Sequence, residues 1–240
     1  MSFSESQKNA WNALEIGPLW QDRTIRSPSE QLTAANIDLA ATDIIRIEVV
    51  ASGLPRTWDQ VASDVASCRR CGLCEGRTQT VFANTQPGPR VMLIGEAPGE
   101  QEDHSGLPFV GPAGQLLTQM LRAIGLDRER DVLIVNAVKC RPPENRNPSA
   151  QEMAACQPWL LEQIAIAKPQ VIFLLGKFAV NAVLGKDEPI TQLRGLVHQT
   201  AQGVPAIATY HPAYLLRRLP EKAKAWEDLL LLKTLLDDLA

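Results

Sequence analysis

The sequence lacks three features that would place a chain in a special class. No run of 18 or more apolar residues occurs, so nothing in it predicts a transmembrane helix. The first residues, MSFSESQKNAW, lack the basic and apolar regions of a signal peptide, so we expect a cytoplasmic protein with no membrane partner. Internal repeats and low-complexity tracts are also absent from the sequence, which argues against a repeat array.

An excess of basic residues is missing as well. The chain holds 24 Lys and Arg against 27 Asp and Glu, for a formal net charge of −3. Phosphate binding normally leaves a basic footprint, so the overall charge alone argues against a nucleic-acid partner, although it is compatible with a local basic patch. Hydrophobic residues make up 45% of the 240 residues, which is ample for a packed core.

Apolar runs alternate with helical patterns along most of the chain. This order predicts an α/β fold, a three-layer α/β/α sandwich with a central, mainly parallel sheet. We expect residues 1–60 to form an N-terminal helical or irregular extension and residues 61–240 to form the main domain. Strands are predicted at about 90–94, 131–138 and 171–175, with two more within 195–210. Helices are predicted from Thr57 toward Cys68, at 112–124, from a Ser149/Glu152 capping box to 167, at 176–185, and at 221–239.

The loop after the first predicted strand is the richest candidate site. Val91 to Ile94 run into Gly95, and the following loop carries several acids and Phe109. Loops at the carboxyl ends of parallel strands are where ligands bind in open α/β sheets. A solvated acidic loop is the plain alternative. Phe109 favours a ligand site, because an aromatic residue without helical or strand period suits a platform for a planar ligand.

Five cysteines, at 68, 71, 74, 140 and 156, indicate a metal or cluster site. Disulfides are unexpected in a cytoplasmic chain, and a Cys-x-x-Cys pair with two distant cysteines can hold zinc or an iron–sulfur cluster. Cys71 and Cys74 form a second such pair, so spacing alone does not identify the spare residue. Thioredoxin-like exchange is a weaker alternative, since further cysteines are available.

Two further positions carry polar groups that can bind a ligand or take part in a reaction. Asn136 lies inside an otherwise apolar predicted strand, where its amide needs a partner, either a backbone group or a ligand. His211 follows a predicted strand end and leads into Arg217 and Arg218. An imidazole there can stabilise a developing anion, and the arginines can hold phosphates.

Together these residues resemble the family 4 uracil-DNA glycosylases, the iron–sulfur members of the uracil-DNA glycosylase superfamily. The similarity covers about residues 68 to 235, and loops, strand ends and cysteine spacing agree in order. The matching stretches are GEAPGEQED (95–103), GLPFVGPAGQLL (106–117), NAVKCRPPENRNP (136–148) and HPAYLL (211–216), with the cysteines at 68, 71, 140 and 156.

The resemblance implies roles for individual residues. Phe109 would stack on a uracil flipped out of DNA, and Asn136 would read its edge. Glu102 would lie near C5 and exclude the methyl group of thymine. His211 would stabilise the departing uracil anion. The four matching cysteines, Cys68, Cys71, Cys140 and Cys156, would bind a [4Fe–4S] cluster, leaving Cys74 spare.

The remaining assignments concern water, substrate and DNA. The best-studied branch of the superfamily has an Asp where this chain has Ala97, so Glu96 is the nearest candidate for handling the attacking water. Ala97 and Asn145 are assigned to substrate binding. DNA contacts are assigned to four residues, with one of the two leucines as a wedge: Leu215, Leu216, Arg217 and Arg218.

The function implied by the resemblance is DNA repair. The enzyme would flip uracil out of single- or double-stranded DNA and hydrolyse its N-glycosidic bond, leaving an abasic site. We expect it to act as a monomer. The alternatives are a non-catalytic iron–sulfur protein that binds nucleic acid and an iron–sulfur redox protein.

Overall fold

A five-stranded sheet forms the centre of the computed structural model, which describes residues 56–239. Its strands are β1 (Val91–Gly95), β2 (Val132–Asn136), β3 (Val171–Leu175), β4 (Val197–Gln199) and β5 (Pro205–Thr209). The spatial order is β2-β1-β3-β5-β4. All neighbouring pairs are parallel except β4 and β5, which are antiparallel. The predicted mainly parallel sheet is therefore confirmed.

Helices cover both faces of the sheet and complete the three layers. They are α1 (Trp58–Ala66), α2 (Leu73–Gly76), α3 (Glu100–Ser105), α4 (Pro112–Ala123), α5 (Ala150–Ala167), α6 (Lys177–Leu184), α7 (Ile190–Leu193), α8 (Pro212–Arg217) and α9 (Lys222–Asp238), with 3-10 turns at Pro143–Asn145 and Leu219–Glu221. Helices α1, α5 and α6 pack in one core cluster. Helices α4, α8 and α9 pack in the other.

Burial on two faces explains why the strands are continuous apolar runs. Met92 and Ile94 of β1 belong to the cluster under α5, whereas Val91 and Leu93 belong to the cluster under α9. Successive side chains of a strand point to opposite faces. A strand covered on both sides therefore needs apolar residues at every position.

The predicted helix starts are confirmed in atomic detail. The Thr57 hydroxyl accepts a hydrogen bond from the Gln60 amide at 3.3 Å, and the Thr57 amide donates one to Gln60 Oε1 at 2.8 Å. Ser149 and Glu152 form the same reciprocal box at the start of α5. Each box satisfies backbone donors that the first turn of a helix leaves unpaired.

Several segments differ from the sequence prediction, among them the unpredicted four-residue helices α2 and α7. The loop after β1 contains helix α3, which is too short to show a helical period. Strand β2 ends at Asn136, so this residue lies at the carboxyl end and not inside the strand. The segment after β5, predicted as a loop, forms α8 with His211 as its N-cap.

The predicted N-terminal extension, residues 1–60, falls outside the described residues except for its last five positions, 56–60. The division into an extension and a main domain therefore stays a prediction. None of the helices between residues 56 and 239 has the length and apolar content that crossing a membrane requires.

The strand order also locates the functional edge of the sheet. β1 and β3 are neighbours, but the chain leaves β1 toward β2 and leaves β3 toward β5. Ligands of open α/β sheets bind where the connections diverge in this way, at the carboxyl ends of the strands. The loops after β1, β2, β3 and β5 meet at this edge.

Candidate active site

A cleft of about 580 Å³ opens at the carboxyl ends of the strands. It gathers loops that are far apart in the sequence, as the strand order requires. Eight of the sequence-predicted site residues line this cleft: Glu96, Ala97, Glu102, Phe109, Asn136, Asn145, His211 and Arg217.

Three of the predicted DNA-contacting residues lie outside the cleft. Leu215 is only 1% exposed and packs in the core under α8, so its assignment to a DNA contact is wrong. Leu216, the next residue, is 43% exposed. Arg218 is also exposed, directly after α8. The exposed apolar side chain of this helix is therefore Leu216.

Asn136 presents an unsatisfied acceptor to the cleft. It pairs in register with Gly95 at the end of β2 and is 1% exposed. Its Oδ1 atom is buried and has no hydrogen-bond partner among the described residues. Leaving such a group unpaired is costly. The site is therefore prepared for a ligand that donates a hydrogen bond.

Gly95 allows two site residues to approach the end of β1. A Cβ atom at this position would lie 2.4 Å from Asn136 Oδ1 and 2.6 Å from the ring of Phe109. The Phe109 ring is 6% exposed, and its centroid lies 5.5 Å from that of His211. Glycine is thus required here for packing around the cleft.

Replacing Gly95 by Ala should displace Phe109 or Asn136 and impair ligand binding severely. Overpacking of this kind costs about 1–3 kcal/mol of stability as well. Thermal unfolding and ligand affinity would measure the two effects. Gly76→Ala is the matched control, because a Cβ atom there would meet nothing within 4 Å. Equal ligand affinity of the two variants would contradict the packing argument.

His211 is held in one tautomer by helix α8. Its Nδ1 atom accepts a hydrogen bond from the Ala213 amide at 3.2 Å. The proton of the neutral ring is therefore on Nε2. Burial, together with the charge of Arg217, lowers the pKa of His211 to about 4. The imidazole is neutral at pH 7 and offers an Nε2–H donor.

The acidic residues of the cleft differ in their surroundings. Burial raises the pKa of Glu96 to about 7, so this carboxyl group gains or loses a proton near neutral pH. Glu102 is instead occupied with backbone groups, since its oxygens accept from the amides of Gly99, Val110 and Gly111 at 2.9–3.1 Å. Asn145 lies on the exposed rim, and its Oδ1 accepts from Arg141 Nε at 2.8 Å.

The sequence reasoning missed three aromatic residues of the cleft, Phe178, Tyr210 and Tyr214. The rings of Tyr210 and Tyr214 are stacked, with centroids 5.2 Å apart. Tyr214 follows His211 by three residues, which is about one helical turn. A helix prediction for the segment after β5 would have placed Tyr214 on the same side of the helix as His211.

A second, small cavity of about 20 Å³ is lined by all five cysteines. Cys140 and Cys156 are buried, whereas Cys68, Cys71 and Cys74 are half-buried. The structure thus brings the N-terminal cysteines close to Cys140 and Cys156, although 72 positions separate Cys68 from Cys140. Within residues 56–239, no three His, Cys, Asp or Glu side chains converge closely enough to bind a single metal ion.

Hydrogen-bond donors lie close to three of the cysteine sulfurs. Arg77 Nη1 lies 3.2 Å from Cys140 Sγ, and the Lys139 amide lies 3.3 Å from Cys156 Sγ. Trp159 Nε1 lies 3.4 Å from Cys68 Sγ. Lys139 is 1% exposed, and its ammonium group bonds to the Asn136 carbonyl and to Gln163, which are both uncharged.

Burial also affects the free thiols. It raises the pKa of Cys140 to about 11, and it raises the pKa of Cys156. Without a metal these groups are therefore protonated at pH 7. Metal binding would deprotonate them, and the neighbouring donors and cations would then offset the negative charge. Among the described residues, the donor set thus suits a cluster bound by several thiolates and not a single metal ion.

The comparisons with known proteins agree with the fold and the cleft. A family model described as the uracil DNA glycosylase superfamily matches residues 82–230. This range is more than half of the chain, so the chain belongs to the uracil DNA glycosylase superfamily.

Type-4 and type-5 uracil-DNA glycosylases are among the individual relatives of this chain. The type-4 uracil-DNA glycosylase of Thermotoga maritima is 47% identical over 158 residues, which is 65% of this chain and 82% of the relative. The type-4 enzyme of Archaeoglobus fulgidus is 39% identical over 70% of this chain and 87% of its own length. A type-5 uracil-DNA glycosylase of Pyrobaculum aerophilum is 31% identical over 67% and 85%. The resemblance read from the sequence is confirmed.

Proposed function

We propose that this protein is a uracil-DNA glycosylase, which binds a uracil flipped out of DNA and hydrolyses its N-glycosidic bond. The observation that carries the proposal is the buried, unpaired Oδ1 atom of Asn136 in a cleft shared with Phe109 and His211. This is the arrangement that a planar base with a hydrogen-bond donor on its edge would complete.

Asn136 selects uracil by its pattern of donors and acceptors. The N3–H group of uracil can donate to Asn136 Oδ1, while O4 can accept from the Asn136 amide. Cytosine instead has an acceptor at N3 and an amino donor at C4. The Asn136 oxygen would then face an acceptor, and the Asn136 amino group would face a donor. Stacking on Phe109 would add about 1–3 kcal/mol without distinguishing the bases.

His211 supplies the electrostatic part of the mechanism. Cleavage of the N-glycosidic bond places negative charge on uracil and positive charge on the sugar. A neutral imidazole with its proton on Nε2 would donate to a uracil carbonyl as this charge develops. The hydrogen bond strengthens in the transition state and therefore accelerates the step.

Glu96 is the group that would orient and deprotonate the attacking water. It directly follows β1 and lines the cleft, and burial raises its pKa to about 7. A base whose pKa lies near the operating pH is well suited to this task. Ala97, beside it, has no side chain that could take part in proton transfer.

The surface beside the cleft suits DNA. Arg217 lines the cleft, Arg218 is exposed beside it, and Leu216 projects from the same helix. The arginines would bind phosphates. Leu216 would act as the wedge that fills the gap left by the flipped nucleotide. This local patch reconciles DNA binding with a net charge of −3.

We also propose that Cys68, Cys71, Cys140 and Cys156 hold a [4Fe–4S] cluster. In such a cluster each thiolate binds a different iron, so the sulfurs lie farther apart than around one ion. The donors and cations around the cavity support this assignment. When bound, the cluster would tie together the segment between α1 and α2, the loop after β2, and α5, a role in stability and not in electron transfer.

Cys140→Ser should lose bound iron and destabilise the fold, because folding and metal binding are coupled. Iron and sulfide per chain and the thermal midpoint are the measurements. Cys74→Ser is the control and should keep parental values, although Cys74 lines the same cavity. Stoichiometric zinc without sulfide would contradict the cluster.

Uracil release from oligonucleotides tests the proposed function directly. The protein should free uracil from single-stranded or duplex DNA containing one uracil, and it should leave matched cytosine and thymine substrates intact. DNA binding without release would instead favour a non-catalytic module. Reversible cycling of bound iron without any release would favour a redox protein.

A further inference from the structure

The turn that contains Phe109 has an unfavourable backbone conformation for a residue other than glycine. Phe109 has a φ of 55°, a left-handed value that is rare outside glycine. Its carbonyl oxygen lies only 1.7 Å from where a Cβ atom of Gly114 would be. Such a conformation persists only where the surroundings determine it. We call residues 108–111 the Phe109 turn.

Two charged side chains hold the Phe109 turn from opposite sides. Glu102 Oε1 accepts from the amides of Val110 and Gly111 at 2.9 and 3.0 Å. Arg128 Nη2 donates to the carbonyl of Pro108 at 2.6 Å. The peptides before and after Phe109 are therefore both fixed by hydrogen bonds to charged groups, which are stronger than neutral ones.

The two side chains differ in their access to the cleft. Glu102 lines it, but Arg128 does not; Arg128 lies against a separate cavity of about 250 Å³ that also touches Phe109. Arg128 is largely buried, with 13% of its side chain exposed. It also donates to Thr118 Oγ1 at 3.2 Å. Any effect of Arg128 on a bound base must therefore pass through the turn.

We propose that Glu102 and Arg128 are positioning residues that together hold Phe109 against the flipped base. Base capture then depends on both side chains, although only Glu102 lines the cleft. Both Glu102 oxygens already accept backbone hydrogen bonds, so the carboxylate cannot move toward a ligand without releasing the turn. This inference rests on the proposed function and deepens it.

Single-turnover kinetics on uracil-containing DNA separate positioning from direct contact. R128M and E102A should each raise the half-saturating enzyme concentration about tenfold, as loss of a charge-assisted hydrogen bond implies. The maximal rate should change far less, because His211 and Glu96 are untouched. E102Q keeps one oxygen for Val110 and Gly111 and should restore part of the loss. R130M is the control, since the Arg130 side chain is 78% exposed.

Combination with F109A gives a second test. If both residues act through Phe109, adding R128M or E102A to F109A should cause no further loss. Independent contributions would instead multiply the fold-changes in half-saturating enzyme concentration. Such a further loss in the double variants would overturn the proposal.

Hydrogen exchange supplies a readout that does not depend on catalysis. Arg128 makes no hydrogen bond to the amides of Val110 and Gly111, which bond to Glu102. R128M should nevertheless speed the exchange of both amides several-fold, because the turn is released on one side. R128K replaces R128M if the latter does not fold, and it should show a smaller effect in the same direction.

Two further outcomes would overturn the inference. One is parental half-saturation and parental amide exchange in R128M. The other is weakened base capture in E102A while R128M captures the base like the parent, which would assign the effect to direct contact between Glu102 and the base. Failure of the parent protein to release uracil would contradict the proposed function instead, and amide exchange would still decide whether the two side chains act together.

Discussion

Replacing His211 by Ala should slow single-turnover release of uracil by roughly two to three powers of ten. DNA affinity should change little. The neutral imidazole offers its Nε2–H to a uracil carbonyl, and this hydrogen bond matters most once negative charge has formed on the base. Rates measured at saturating enzyme isolate this effect from binding.

The contribution of His211 should also be independent of pH across the neutral range. Its pKa is lowered to about 4, so the ring stays neutral well below pH 7. Only protonation near that value would break the hydrogen bond from Ala213 to Nδ1. The ratio of parental to His211→Ala rates should therefore be constant from about pH 5 to about pH 8.

His104→Ala is the matched control, because His104 is exposed and does not line the cleft. It should release uracil at the parental rate. A His211→Ala protein that cleaves at nearly the parental rate would remove His211 from the mechanism. A ratio that rises steeply as the pH is lowered from 7 to 6 would show that a charged imidazole is the active form.

Replacing Glu96 by Gln should lower the maximal single-turnover rate by roughly 10²- to 10⁴-fold, the usual contribution of a general base. Glutamine keeps the shape of the side chain but cannot take a proton from water. Base capture should be nearly unchanged, because Phe109 and Asn136 remain in place. The variant therefore separates water activation from binding.

The pH dependence of the parental single-turnover rate also tests the role of Glu96 as a general base. Burial raises the pKa of Glu96 to about 7, and only the ionised carboxylate acts as a base. The rate should fall about tenfold per unit as pH drops below 7, and it should level off above. This dependence should vanish in Glu96→Gln.

Glu100→Gln provides the control for Glu96. Its side chain is 63% exposed, and it lies outside the cleft, so its loss should leave both the rate and the pH profile unchanged. A Glu96→Gln protein that keeps the parental profile would show that another group handles the water.

Much of the fold could be predicted because its signals are local. The apolar runs at Val91, Val132 and Val171 each became buried parallel strands. The capping box at Ser149 and the glycine at 185 mark helix ends that the structure confirms. Helices α2, α3, α7 and α8 were missed, since four to six residues are too few to display a period of 3.6.

The assignment of Leu215 and Leu216 shows the limit of sequence reasoning within the site. The two residues are adjacent and chemically identical, yet one is 1% exposed and the other 43%. Their difference arises from the 100° rotation between neighbours on a helix. No local signal separates them until the helix is packed against the core.

The sequence by itself determined which chemical groups are available: the cysteines, Asn136, Phe109 and His211, at positions that strand ends and loops make accessible. The tertiary structure alone decided their states. The unpaired oxygen of Asn136, the Nε2–H tautomer of His211 and the raised pKa of Glu96 all result from burial and neighbours contributed by different strands. Such properties depend on the surrounding dielectric and on partners distant along the chain, so they arise only when the chain has folded.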